Sequence, residues 1–110
     1  MAESRQGQMR RDWTAARAKV DREGRCRNCP NTWPLETAHV IGRARDRREN
    51  GKAIVDPDSV IPLCGDCHRL YDLGQLDILP LLTTTEQARA VLDADGMITA
   101  LRRVTSERSV

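Results

Sequence analysis

The stretch Cys64-Gly65-Asp66-Cys67-His68-Arg69-Leu70-Tyr71-Asp72 opens on a spacing already set by Cys26-Arg27-Asn28-Cys29. Two C-x-x-C pairs make two tight turns, each able to aim two thiolates at one tetrahedral zinc ion. A redox dithiol needs only one such pair, and disulfides need an oxidising compartment, so structural zinc is the reading that uses all four cysteines. Four sulfurs fill every position of that ion and leave no place for water or substrate, which sends any chemistry elsewhere. The 34 residues between the pairs exceed the ~15–20 of a plain zinc ribbon. The ribbon therefore carries an insert, and function is sought there.

At 110 residues the chain is read as one domain, since two separate cores would each be too small to hold a fold by burial. Only 3% of residues are aromatic and Phe is absent, so the core is aliphatic and thin, and a metal staple fits that need. No run approaches the ~20 apolar residues that cross a bilayer. The charged start MAESRQGQMRRDW lacks the apolar stretch of a signal peptide. The expectation is a soluble protein of a reducing bacterial cytoplasm, without a membrane partner.

The net charge of +2 is unevenly spread. Residues 1–29 hold eight basic and four acidic groups, residues 43–52 five and two, and residues 53–101 two and eight. Lys19 and Lys52 are the only lysines beside 16 arginines, and the arginine fork grips phosphate in bidentate fashion. This favours a phosphate-bearing partner, although an Arg-rich coding bias and a solvated face produce the same composition.

Apolar spacing at Trp13, Ala16 and Val20, with Gly24 as a stop, predicts an N-terminal helix over Arg10–Glu23 in which Trp13 packs in the core. Pro30 and Pro34 mark an irregular connection, and Leu35–Ile41 reads as a strand. Residues 42–52 read as a loop, Ala53–Val55 as the start of a second strand, Asp56–Ser59 as a turn, and Val60–Leu63 as an apolar run. His68–Leu73 fits a helix capped by Gly74. Thr83 and Glu86 form a capping box ahead of a helix whose apolar face is Ala88, Val91 and Leu92, closed by Gly96. Ile98, Leu101 and Val104 predict a last short helix.

Three blocks are similar to one family: Thr37-Ala38-His39-Val40-Ile41-Gly42-Arg43, Asp58-Ser59-Val60-Ile61-Pro62-Leu63 running into Cys64-Gly65-Asp66-Cys67-His68, and Tyr71-Asp72-Leu73-Gly74. Together, over about residues 25–80, they resemble HNH endonucleases of the ββα-metal (His-Me finger) fold, nearest to a zinc-bound, four-cysteine subgroup common in phages and bacteria. The resemblance implies an α+β fold: a ββα-metal hairpin and helix stapled by zinc on Cys26, Cys29, Cys64 and Cys67, with flanking helices at both ends. Segments 1–24, 25–82 and 83–110 would be the basic helix, the nuclease core and a helical extension of one compact domain.

Carried over, His39 is the general base, Ser59 stands where the family has Asn, and His68 binds the catalytic ion. His68 and Asp72, four apart on a helix, share a face and could bind one ion together. Cys67 points about 100° away from His68, so one helix can serve both metals. Arg43, Arg45, Arg47 and Arg48 would hold phosphates of double-stranded DNA. Mg²⁺ or Mn²⁺ is the expected catalytic ion, with Ni²⁺ or Zn²⁺ also compatible with imidazole.

The sequence departs from the family at Ala38, where many members place a metal ligand, and at Ser59. Plainer roles exist for each residue: His39 as an ordinary strand residue, His68 as a buttress of the zinc knuckle, Asp72 as a partner of Arg69, Tyr71 as a core contact. The alternative to DNA cleavage, by nicking or double-strand cutting, is a non-catalytic zinc ribbon that binds nucleic acid, or a structural adaptor in a phage DNA-packaging machine.

Overall fold

The computed structural model describes residues 10–42 and 47–105. In chain order these form β1 (Arg10–Asp12), α1 (Thr14–Glu23), β2 (Leu35–His39), β3 (Arg47–Glu49), β4 (Lys52–Ile54), β5 (Val60–Cys64), α2 (Gly65–Asp72), α3 (Thr84–Ala94) and α4 (Met97–Val104), with single 3-10 turns at Pro57–Ser59 and Leu79–Leu81. The fold is α+β. Among the described residues no helix is long and apolar enough to cross a membrane.

The expected first helix divides in two. Arg10–Asp12 is extended because it pairs in parallel with β4, Arg10 opposite Lys52 and Asp12 opposite Ile54. The helix starts only after Asp12, whose carboxylate accepts the Thr14 N–H at 2.9 Å, and ends on Gly24, whose φ of 65° suits glycine. Trp13 thus lies at the junction of strand and helix instead of on a buried stripe, and it is 37% exposed. Ala16, Lys19 and Val20 face inward in its place.

β2 and β5 are the antiparallel hairpin on which the site is built, with Leu35 opposite Cys64 and His39 opposite Val60. Side chains alternate across a strand. Thr37 and His39 therefore turn to α1, where Arg17 Nη1 bonds the Leu35 carbonyl at 3.0 Å and reaches the Thr37 hydroxyl at 3.5 Å. Glu36 and Ala38 turn to α2. The segment expected as a loop before Lys52 contains a second hairpin, β3 with β4. Asn50 and Gly51 at its tip take φ of 48° and 77°, the backbone that a two-residue hairpin turn requires. A local turn preference here outweighs the polar composition of the flanking residues.

Ile61, Leu63, Tyr71, Ile78 and Val40 form the centre of a mostly aliphatic core. Tyr71 is buried, as expected of a core contact, and its hydroxyl bonds the Val40 carbonyl. The capping box of Thr83 and Glu86 is present. The most buried residues of α3, however, are Glu86, Ala90 and Asp93; of the expected apolar face Val91 packs partly buried against the core, whereas Ala88 is exposed and Leu92 is 55% exposed. The helix is rotated because its acids have partners inside: Glu86 takes Lys19 at 2.5 Å and both Glu86 oxygens take Arg27, while Asp93 takes Ser59 and Arg89. On α4 only Ala100 and Val104 are buried, and Ile98 and Leu101 face outward.

Candidate active site and metal centre

The knuckle of Cys26 and Cys29 is fixed to β5 by the Arg27 N–H on the Pro62 carbonyl at 3.1 Å, and closed by the Cys26 N–H on the Asn31 carbonyl at 2.9 Å. Cys64 ends β5 and Cys67 lies in the first turn of α2. All four Sγ atoms lie within 4.8 Å of one another, and Cys29 Sγ is 3.6 Å from Cys64 Sγ. Sulfurs placed tetrahedrally ~2.3 Å from a zinc ion stand about 3.8 Å apart, so the cluster has the size of a zinc site. Hydrogen bonds from Asn31 and the Cys67 backbone draw the Cys64 thiol below its usual range, which favours the thiolate a metal binds. Burial pushes the Cys67 thiol up, and a cation is what would release its proton.

One residue beyond Cys67, His68 faces the other way. Its Nδ1 is 2.6 Å from Glu36 Oε1 on β2, and its Nε2 is 3.7 Å from Asp72 Oδ2 one helical turn on. The carboxylate at Nδ1 orients the ring so that Nε2 is turned toward Asp72. Two ligand atoms ~2.1 Å from a common ion stand roughly 3–4 Å apart, so Nε2 and Asp72 match a shared ion better than a direct hydrogen bond. Two groups, His68 Nε2 and Asp72, face one another as candidate ligands, and Glu36 stands behind the ring at Nδ1. Among the described residues, only the cysteines converge as three or more ligand atoms on one point.

His39, at the end of β2, stands on the opposite face. The Trp13 ring meets its imidazole edge to face, centroids 5.1 Å apart at 71°, and its Nε2 atom is shut off from solvent. The structure thus brings His68, Asp72 and Glu36 together and sets His39 with Trp13 across the strand from them. Ser59 is 1% exposed. Its hydroxyl donates to Asp93 Oδ2 at 2.9 Å and its carbonyl accepts the Val40 N–H at 2.9 Å. It holds the chain just past His39 and anchors the C-terminal helices. Ala38, opposite Ile61, is likewise in the core.

Arg47 and Arg48 lie exposed on β3, Arg47 paired with Glu49 at 2.9 Å. Arg43 and Arg45 fall outside the described residues. Beside His39, the open surface carries Arg11, Arg17 and Lys52. Asp12 in that group accepts hydrogen bonds from the Thr14 backbone and hydroxyl, which hold its carboxyl below the usual range, with Lys52 adding attraction.

A family model described as HNH endonuclease matches residues 4–78. The chain belongs to the HNH endonuclease family. Members of this family are usually nucleases acting on nucleic acid, and the match spans both cysteine pairs, both histidines and Asp72. Comparison with curated proteins and with solved structures found no match. Within this HNH core, sequence reasoning passed over Glu36. The signal was its place two residues before Ala38, the family's ligand position, which puts both on the strand face turned to α2.

Proposed function

We propose that the protein is a metal-dependent endonuclease that hydrolyses phosphodiester bonds of double-stranded DNA. What carries the reading is the His68 imidazole on an HNH helix, held at Nδ1 by Glu36 and open at Nε2 toward Asp72. Zinc on Cys26, Cys29, Cys64 and Cys67 is the structural staple. His68 and Asp72 would hold a catalytic Mg²⁺ or Mn²⁺, which when bound stabilises negative charge on the phosphate and the leaving oxygen. Ni²⁺ or Zn²⁺ would also suit the imidazole.

The chain's own groups supply the rest. His39, the last residue of β2, takes a proton from the attacking water. A duplex laid across the end of the hairpin meets His39 from one face and His68 from the other. Ser59 acts as a positioning residue through the backbone behind His39. Arg43, Arg45, Arg47 and Arg48 hold flanking phosphates and fix register without reading bases. The work is expected in the cytoplasm of a bacterium, including a phage-infected one, in DNA processing or packaging.

The test is supercoiled plasmid with Mg²⁺ or Mn²⁺, comparing wild type with His39→Ala and His68→Ala. Nicking or linearisation by the wild type and loss in both variants is the expected result; equal cleavage by all three removes the assignment. A second reading, a non-catalytic DNA-binding module or packaging adaptor, draws on the burial of Ala38 and Ser59 and the separation of His39 from His68. DNA binding with steep salt dependence and no cleavage under any divalent metal would establish it.

A further inference from the structure

Between β1, the start of α1 and β4 lies an open concavity of about 610 Å³ bordered by Arg11, Asp12, Trp13, Thr14, Arg17 and Lys52. It begins at the site itself, because Trp13 forms part of its wall and touches His39. Arg17 is anchored to the β2 backbone and to Asp21 at 3.1 Å, and Asp12 is turned into the first turn of α1 by its bond to Thr14. Lys52, exposed on β4 opposite Arg10 in register, stands at the open rim. Arg11, Lys52 and Arg17, the last already paired with Asp21, stand with one engaged carboxylate around an indole left 37% exposed, a surface that suits a group anionic on one side and flat and apolar on the other.

We propose that this concavity seats the DNA phosphate next to the one cut, with the attached nucleotide lying against Trp13. The inference rests on the nuclease reading and assigns it a second contact surface, on the base side of β2. Lys52 supplies charge to the backbone, and Trp13 serves as a sequence-tolerant wall that also keeps the His39 ring in place. The loop arginines then need not carry the strand alone.

The chain has two tryptophans, and Trp33 is 83% exposed, so Trp33→Phe leaves Trp13 as the sole indole reporter. The zinc-loaded protein in this background is titrated with a short DNA duplex at several salt concentrations, without added Mg²⁺ or Mn²⁺ so that no cutting occurs. A saturable change in Trp13 emission is expected. Lys52→Gln lowers the slope of log affinity against log salt by about 0.9, the loss of one phosphate contact, while Arg102→Gln on α4 leaves it unchanged. DNA binding with silent Trp13 emission and an unaltered Lys52→Gln slope overturns the concavity and leaves the nuclease reading standing. No DNA binding even at low salt overturns both.

Discussion

His68 Nδ1 lies 2.6 Å from Glu36 Oε1, across the gap between the helix and the first strand of the hairpin. A carboxylate behind a metal-binding imidazole orients the ring and raises its basicity, and losing it typically costs 10–100-fold in metal affinity. Glu36→Gln should therefore raise the Mn²⁺ concentration needed for half-maximal cleavage by roughly that factor, with a smaller change in rate at saturating metal. Plasmid cleavage across a Mn²⁺ series reads both. An unchanged metal dependence would detach Glu36 from the site.

Removing the zinc should unfold the protein rather than merely silence it. Structural zinc contributes on the order of 10–16 kcal/mol in small domains, as much as the ~5–15 kcal/mol of a whole domain's stability. One zinc per chain is expected by elemental analysis. A strong chelator, or Cys64→Ser, should abolish the cooperative thermal transition seen by circular dichroism. A chelated protein that melts at the same temperature would refute this.

Glu86 ties stability to pH. Burial raises its carboxyl pKa, but the hydrogen bonds from Arg27 and Lys19 outweigh burial and bring it from 4.5 to about 2. A depressed folded pKa means the contribution is fully present above about 4.5 and fades as pH falls toward about 2. Glu86→Gln leaves Lys19 buried without its counter-charge, at a cost of about 3–5 kcal/mol at pH 7. Urea denaturation should show the gap between wild type and variant closing through that acid window.

The cysteine cluster, the first strand and the capping box were legible because each rests on local spacing: two C-x-x-C pairs, a strand pattern at Leu35, Thr83 three before Glu86. The hairpin came only from the family resemblance, since Val60–Leu63 read as an apolar run and the strand expected near Ala53 pairs with β1 and β3 instead of β2. What escaped depends on partners far along the chain. No local rule says that α3 turns Glu86 and Asp93 inward; their partners Lys19, Arg27 and Ser59 come from elements 30 or more residues away. Trp13 was read by helical period, and pairing of Arg10–Asp12 with β4 overrode it. Which face of β2 each histidine would meet also lay beyond the motif, since it follows from helices packed on both sides.

Restoring the family's residue at Ser59 should not help. The side chain is enclosed and spends its hydroxyl on Asp93, so Ser59→Asn overpacks the site and should cost about 1–3 kcal/mol. Ser59→Ala, which only removes the hydroxyl, should cost about 1 kcal/mol. Thermal melts separate the two. A Ser59→Asn protein as stable as wild type would show room that the structure does not have.

Arg27, seated between Cys26 and Cys29 of the four-cysteine cluster, clasps Glu86 through both carboxylate oxygens and donates to the Leu81 carbonyl at 2.9 Å. Both of those partners come after Ile78, where the stretch shared with the family ends. The family-matched stretch of this chain is consequently not a portable cassette: a graft or truncation cut at the family boundary takes Glu86 from the buried Lys19 and from Arg27, and the smallest autonomous piece must carry the first tail helix with it.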